Sequence, residues 1–168
     1  MADSFYTAGR ALLQAATISW ASDTIGVALV SAVAYQFDPA HLFYTSIEEA
    51  ALAFGIVPGA TDVAGSVNSD PITILGIESD QAGHALVFYH ETFDSATSEL
   101  LSYHDTTIGL PVASDGTAMQ LVLPHGPEGL FNYISGVFGL WEGVRNSFGP
   151  PPNPAAPCSG GVSRYLAF

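Results

Sequence analysis

Short apolar runs, each closed by turn-forming residues, constrain this chain more tightly than any other feature of its sequence. Ile25–Val30 (IGVALV) alternates large with small, so that Ile25, Val27 and Leu29 fall on one face of a strand and Gly26 and Ala28 on the other. Ile72–Ile77, Ala85–His90, Leu100–His104 and Met119–Leu123 are further runs of strand length. Ala85–His90 (ALVFYH) is almost wholly apolar and aromatic, as a central strand should be. Turn formers separate the later runs at Ser79–Gly83, Phe93–Ser98, Gly109–Gly116 and Pro124–Gly129. This spacing predicts a mainly β chain: an antiparallel β-sandwich, jelly-roll or immunoglobulin-like, or a small barrel. A length of 168 residues suits one domain plus a tail.

Other elements are fewer. Phe5–Ala16 (FYTAGRALLQAA) reads as a short helix capped by Ser4. Ser22 and Asp23 form a turn before the first strand, which can extend from Val30 towards Tyr35, and Asp38-Pro39 breaks the chain. A second short helix is expected from Ser46 (SIEEAALAF), with Glu48 and Glu49 in its first turn. Residues 55–71, rich in Gly, Pro, Asp, Ser and Asn, read as loop. Beyond Tyr133 the pattern changes: Ile134, Val137, Phe138, Trp141 and Phe148 fall near helical spacing, weakened by Gly136, Gly139 and Gly143. A polyproline-type stretch follows at 149–157, then the apolar end Arg164-Tyr-Leu-Ala-Phe168. The predicted organisation is a β-sandwich domain over 1–133 and a Gly/Pro-rich arm over 134–168. Large apolar side chains on an arm need cover, so Phe138, Trp141, Phe148, Tyr165, Leu166 and Phe168 are the candidate inter-subunit contacts.

Charge narrows the range of partners. Sixteen Asp and Glu stand against three Arg (Arg10, Arg145, Arg164) and no Lys, a formal net charge of −13. The acids are spread along the chain, and no basic patch is present to neutralise a phosphate backbone or an anionic bilayer, so neither nucleic acid nor membrane is an expected partner. Charged residues make up only 11% and hydrophobic ones 48%, which excludes a charge-rich disordered chain and leaves much uncharged surface for a partner to cover. No apolar run has the length of a bilayer span, and no basic leader precedes an apolar stretch, so the expected route is synthesis in the cytoplasm without secretion. The lone Cys158 has no internal disulfide partner and reads as a free thiol rather than a nucleophile.

Candidate chemistry is sparse, and each candidate has a plainer reading. Ser102, His104 and Asp105 supply the residue types of a hydrolytic triad, but no Gly-x-Ser-x-Gly elbow presents the serine, and adjacent His104 and Asp105 point to opposite faces of a strand. A polar pair at a strand end is the simpler account. His84 and His90 could face one side of a strand but lie ~20 Å apart at strand rise, too far to share one metal, and the remaining histidines show no metal-ligand spacing. Asp80 and Asp115-Gly116 lie in turns and lack the spacing of a calcium loop. No catalytic residue, cofactor or metal is expected from these motifs.

Several stretches, in order, carry a resemblance. They are Met1-Ala-Asp-Ser-Phe-Tyr-Thr-Ala-Gly-Arg10, Trp20-Ala-Ser-Asp-Thr-Ile-Gly-Val-Ala-Leu-Val30, Ala85-Leu-Val-Phe-Tyr89, Leu101-Ser-Tyr-His-Asp105 and Thr107-Ile-Gly-Leu-Pro-Val-Ala-Ser-Asp-Gly116. Together they resemble a family of small structural proteins of tailed bacteriophages, over roughly residues 1–133. The chain departs from that pattern in lacking lysine and in carrying the arm 134–168. The resemblance implies a non-enzymatic virion protein, a capsid decoration or cement subunit contacting the major capsid protein or neighbouring virion subunits and repeated as a homo-oligomer in the particle. The acidity suits the outer face of a shell better than a DNA-facing one. A minor tail, baseplate or fibre-associated protein is the alternative within the virion. A carbohydrate-binding or hydrolytic β-sandwich is the alternative from another class, favoured if Trp or Tyr side chains stand exposed at loop tips.

Overall fold

The computed structural model describes residues 3–59, 61–63, 66–74, 81–106, 110–113, 119–122, 131–132, 137–138 and 143–146. In chain order the strands are β1 (Ser4–Phe5), β2 (Ile25–Val30), β3 (Ala51–Ile56), β4 (Thr61–Val63), β5 (Ser66–Asn68), β6 (Ile72–Ile74), β7 (Ala82–Gly83), β8 (Ala85–His90), β9 (Leu100–His104), β10 (Val112–Ala113), β11 (Met119–Val122), β12 (Phe131–Asn132), β13 (Val137–Phe138) and β14 (Gly143–Asn146). One α-helix, α1 (Thr7–Gln14), and two 3₁₀ turns, Tyr44–Ser46 and Glu48–Ala50, complete the described elements. The chain is therefore mainly strands in antiparallel sheets with one helix, as its turn spacing predicts.

A five-stranded sheet in the order β1-β9-β8-β2-β3 organises the molecule. Its middle strand is β8, the run singled out for its continuous apolar character. β2 pairs with β8 along its whole length, from Ile25 opposite His90 to Val30 opposite Ala85. The predicted alternation in β2 is realised: Ile25, Val27 and Leu29 join one core cluster, Ala28 and Val30 the other. Both faces of the sheet are covered. On the first, Leu86, Phe88 and Leu101 meet Leu13 of α1, Ile18, Trp20, Ile72 and Ile74 of β6, and Met119 and Leu121 of β11. On the second, Val87, Tyr89, Leu100 and Tyr103 meet Tyr6, Tyr35, Ile47 and Ala50. The register slips between Phe88 and Tyr89, so that Phe88 faces Ser102, Tyr89 faces Leu100, and Leu101 is left over. That bulge sends Leu100 to the second core and Leu101 to the first.

Tertiary pairing redraws four local expectations. The helix starts at Thr7 rather than Phe5, because Ser4 and Phe5 pair with Tyr103 and Ser102 at the sheet edge. Ser4 is thus a strand residue, and extended Tyr6 takes the N-cap position without a side-chain cap. One of the helix's free amide donors, Thr7 N–H, is met by the Pro39 carbonyl at 2.9 Å. The helix expected from Ser46 reduces to the two 3₁₀ turns, since Ala51–Ile56 pairs with β2 and gains a ladder of hydrogen bonds there. The loop expected over 55–71 contains the β4–β5 hairpin, with Thr61 opposite Asn68. β2 stops at Val30, and the chain turns at 32–34 instead of running on to Tyr35.

The near-helical spacing after Tyr133 does not produce a helix in the described part of that region. Val137–Phe138 pairs with β12, and Gly143–Asn146 pairs with β11 from Met119 opposite Asn146 to Val122 opposite Gly143. Glycines at 136, 139 and 143 disfavour helix, and strand neighbours satisfy the backbone instead.

Candidate functional site

The buried side of β9 carries a polar line that the strand's two-residue repeat creates. Ser102 and His104 are two apart, so their side chains share a face, and His104 Nε2 lies 3.0 Å from Ser102 Oγ. On its other side, His104 Nδ1 lies 3.3 Å from Asp3 Oδ2. A carboxylate has no proton to give, so Nδ1–H donates to Asp3, and Nε2 is left to accept the Ser102 hydroxyl proton. The imidazole meets the Phe88 ring edge-on, with centroids 5.4 Å apart.

Asp3 also accepts from Asp105 N–H at 3.2 Å, Thr106 N–H at 3.1 Å and the Thr106 hydroxyl at 2.6 Å. Burial works to raise the Asp3 carboxyl; hydrogen bonds from His104 and Thr106 outweigh it and hold the group at about 2. Burial lowers His104 against the opposing pull of Asp3, and its imidazole stays neutral.

Order and distances are those of a serine–histidine–aspartate hydrolase, with Asp3 in the place where the sequence offered Asp105. The surroundings differ. Ser102 and His104 are both wholly inaccessible, so no substrate carbonyl reaches Ser102 Oγ in this structure. What the line does is tie the strand preceding α1 to the far end of β9. Local pattern gives no sign of Asp3's part, since it sits 101 residues from His104.

The other candidates are separate. His84 Nδ1 accepts the Ala32 amide at 3.3 Å, and His90 Nδ1 lies 3.7 Å from Glu99. Among the described residues no group of three His, Cys, Asp or Glu side chains is placed to hold a metal. Phe138 lies on β13, opposite Phe131. Trp141, Phe148, Tyr165, Leu166, Phe168, Cys158, Asp80 and Asp115 lie outside the described residues. Among the described residues no helix is long and apolar enough to cross a membrane.

An open cavity of about 210 Å³ lies at the end of the sheet, where β8 and β3 meet the 91–98 turn. Tyr44 and Tyr89 stand together in it, ring centroids 4.6 Å apart, and Phe54 and Phe93 flank them. Glu91, Asp94, Ser95 and Ser98 complete the lining. Phe54, on the edge strand β3, is 62% exposed and Phe93 is 87% exposed. The turn that holds Phe93 is tightly bonded: Glu91 Oε1 accepts the Phe93 amide at 2.6 Å and the Ser98 hydroxyl at 3.2 Å. Asp94 Oδ1 accepts the Ala96 amide at 2.9 Å. Burial raises the Tyr44 hydroxyl, and the nearby Glu48 and Glu91 carboxylates raise it further. In the sequence Phe93–Ser98 reads only as a turn; the signal that could have found the pocket is a large aromatic, Phe93, inside a segment of turn formers.

Comparison with protein-family models, with curated proteins and with solved structures found no match for this chain.

Proposed function

We propose that this chain is a non-enzymatic structural subunit of a tailed-phage virion, most simply a decoration or cement protein on the outside of the capsid. The observation that carries the reading is the ordered set of motifs spread over residues 1–133. In this reading the body is a β-sandwich, and the residues after it form an arm that contacts the major capsid protein or a neighbouring subunit. Three features support it. The chain is acidic throughout, with a net charge of −13, which keeps it off DNA and leaves it suited to an outer surface. Large aromatic side chains, Phe54 and Phe93, stand in solvent beside an edge strand, where a partner would cover them. In the nearest approach to a catalytic constellation, Ser102–His104–Asp3, the serine and the histidine are wholly buried.

Particles assembled without the protein test the reading by add-back. Purified full-length chain is expected to rebind them at saturating, symmetry-related stoichiometry. A chain lacking residues 147–168, which keeps every described strand, is expected to rebind more weakly. Failure of the full chain to bind any particle surface would contradict the proposal.

A further inference from the structure

The cavity between β3, β8 and the 91–98 turn combines clustered aromatic faces with carboxylates that no lining cation neutralises. We propose that it is a receptor for a single arginine side chain of a partner polypeptide. This inference stands apart from the virion reading, since it follows from the pocket alone.

Size sets the class of occupant. At about 210 Å³ the cavity is smaller than the ~300–1,000 Å³ typical of small-molecule clefts, and it matches one side chain better than a whole metabolite. Charge sets its sign. Glu91 and Asp94 line the space, Glu48 acts on Tyr44 beside it, and no cationic residue is among the lining. A chain carrying −13 attracts basic partners at long range as well. The rings set its shape. Tyr44 and Tyr89 are tilted at 53° to one another, and Phe54 and Phe93 add two further faces on which a planar guanidinium can stack while its N–H groups reach a carboxylate. A neutral sugar would use the rings but leave the carboxylates' charge unanswered.

The backbone supplies an independent reason. Phe93 has φ of +63°, a conformation that costs an L-residue ~1–2 kcal/mol and that glycine adopts freely. A phenylalanine held there with its ring in solvent serves no packing purpose in the isolated chain. Its position is fixed by the Glu91 carboxylate, so the turn holds an aromatic wall and an acid together. The described Arg10 is occupied elsewhere, its guanidinium 5.9 Å from the Phe5 ring centre.

The test is an NMR titration of the full chain with the blocked tripeptide acetyl-Gly-Arg-Gly-amide, alongside the same peptide with norleucine at the centre. Saturable shifts at the Tyr44, Tyr89 and Phe93 rings are expected with the arginine peptide alone, weakening as salt is raised. Phe93→Ala, at an exposed position, is expected to weaken binding about two- to fivefold, the scale of one lost cation–aromatic contact. Asp94→Asn, which keeps the acceptor for Ala96 but removes the charge, is expected to weaken it by a smaller factor. Equal shifts with norleucine would overturn the proposal, as would shifts indifferent to Phe93→Ala. Tighter peptide binding in Arg164→Ala would also overturn it, because the chain's own terminus would then be the occupant.

Discussion

The phenol ring of Tyr89 lies directly over Gly26 on the neighbouring strand, so close that a β-carbon on residue 26 would sit 2.3 Å from the ring's Cζ. The small face of β2 exists to admit this ring, and Tyr89 in turn contacts Tyr44 and lines the aromatic pocket. Gly26→Ala should therefore force a buried side chain aside and cost ~1–3 kcal/mol, the usual range for overpacking. Urea unfolding should show a lower midpoint with an unchanged slope. The double variant with Tyr89→Leu should recover part of the loss, and strict additivity would mean that the two residues are not coupled.

Gly9 poses a contest of signs. In an exposed helix, glycine to alanine gains ~1 kcal/mol of helix propensity. Here a β-carbon would lie 2.3 Å from the Leu100 carbonyl oxygen, a backbone atom that cannot rotate away. The clash should win, lifting α1 off β9. Gly9→Ala is expected to lower the thermal midpoint, and a rise would show that the helix is less firmly seated than this geometry requires.

Acid should weaken the fold through the Asp3–His104 pair. His104 is depressed by burial, so the unfolded chain takes up its proton first and stability falls as pH drops below ~6.5. Asp3 is held at about 2, below the ~3.9 of a free carboxylate, so its contribution is present above pH ~4 and is lost as pH falls towards 2. The limiting slope from either group is ~1.4 kcal/mol per pH unit. His104→Asn should flatten the pH 5–7 part of the profile while Asp3→Asn flattens the part below pH 4. An unchanged profile in both variants would place the acid sensitivity elsewhere.

Ser102 separates the sealed polar line from a working hydrolase. Ser102→Ala removes the hydroxyl that donates to the buried Nε2 of His104 and should cost ~1–3 kcal/mol. Ester hydrolysis by the unaltered chain should match the buffer background and stay there in the variant. A serine-dependent burst would overturn the non-enzymatic reading.

Phe93→Gly should stabilise the chain. Relief of the left-handed strain, ~1–2 kcal/mol, exceeds the ~0.5–1 kcal/mol entropic cost of a glycine. A gain in stability together with a loss of arginine-peptide binding is the expected pair of results.

Much of the sheet was legible because its strands declare themselves locally. β8 and β9 have the limits that apolar runs and turn residues predict, β2 begins where its alternation does, and β8 is central as its aromatic run implies. What failed was decided at a distance. Ser4 looks like a helix cap until Tyr103 is placed opposite it, and Ala51–Ile56 has helix-forming residues until β2 offers a ladder. Asp3 joins His104 across 101 residues, and Tyr44 meets Tyr89 across the fold; neither relation leaves a mark in local pattern. Phe93, an aromatic within a turn segment, is the one pocket residue whose local context carries a signal, and it goes unread when Phe93–Ser98 is taken as turn alone.

The virion reading is tested most directly by the copy number of this protein in purified particles, measured by quantitative mass spectrometry against the major shell protein. A ratio near one, or one per local symmetry axis of the shell, is expected for a capsid decoration or cement subunit. A handful of copies would contradict capsid decoration and move the protein to the tail. Absence from the particles would contradict the virion reading altogether.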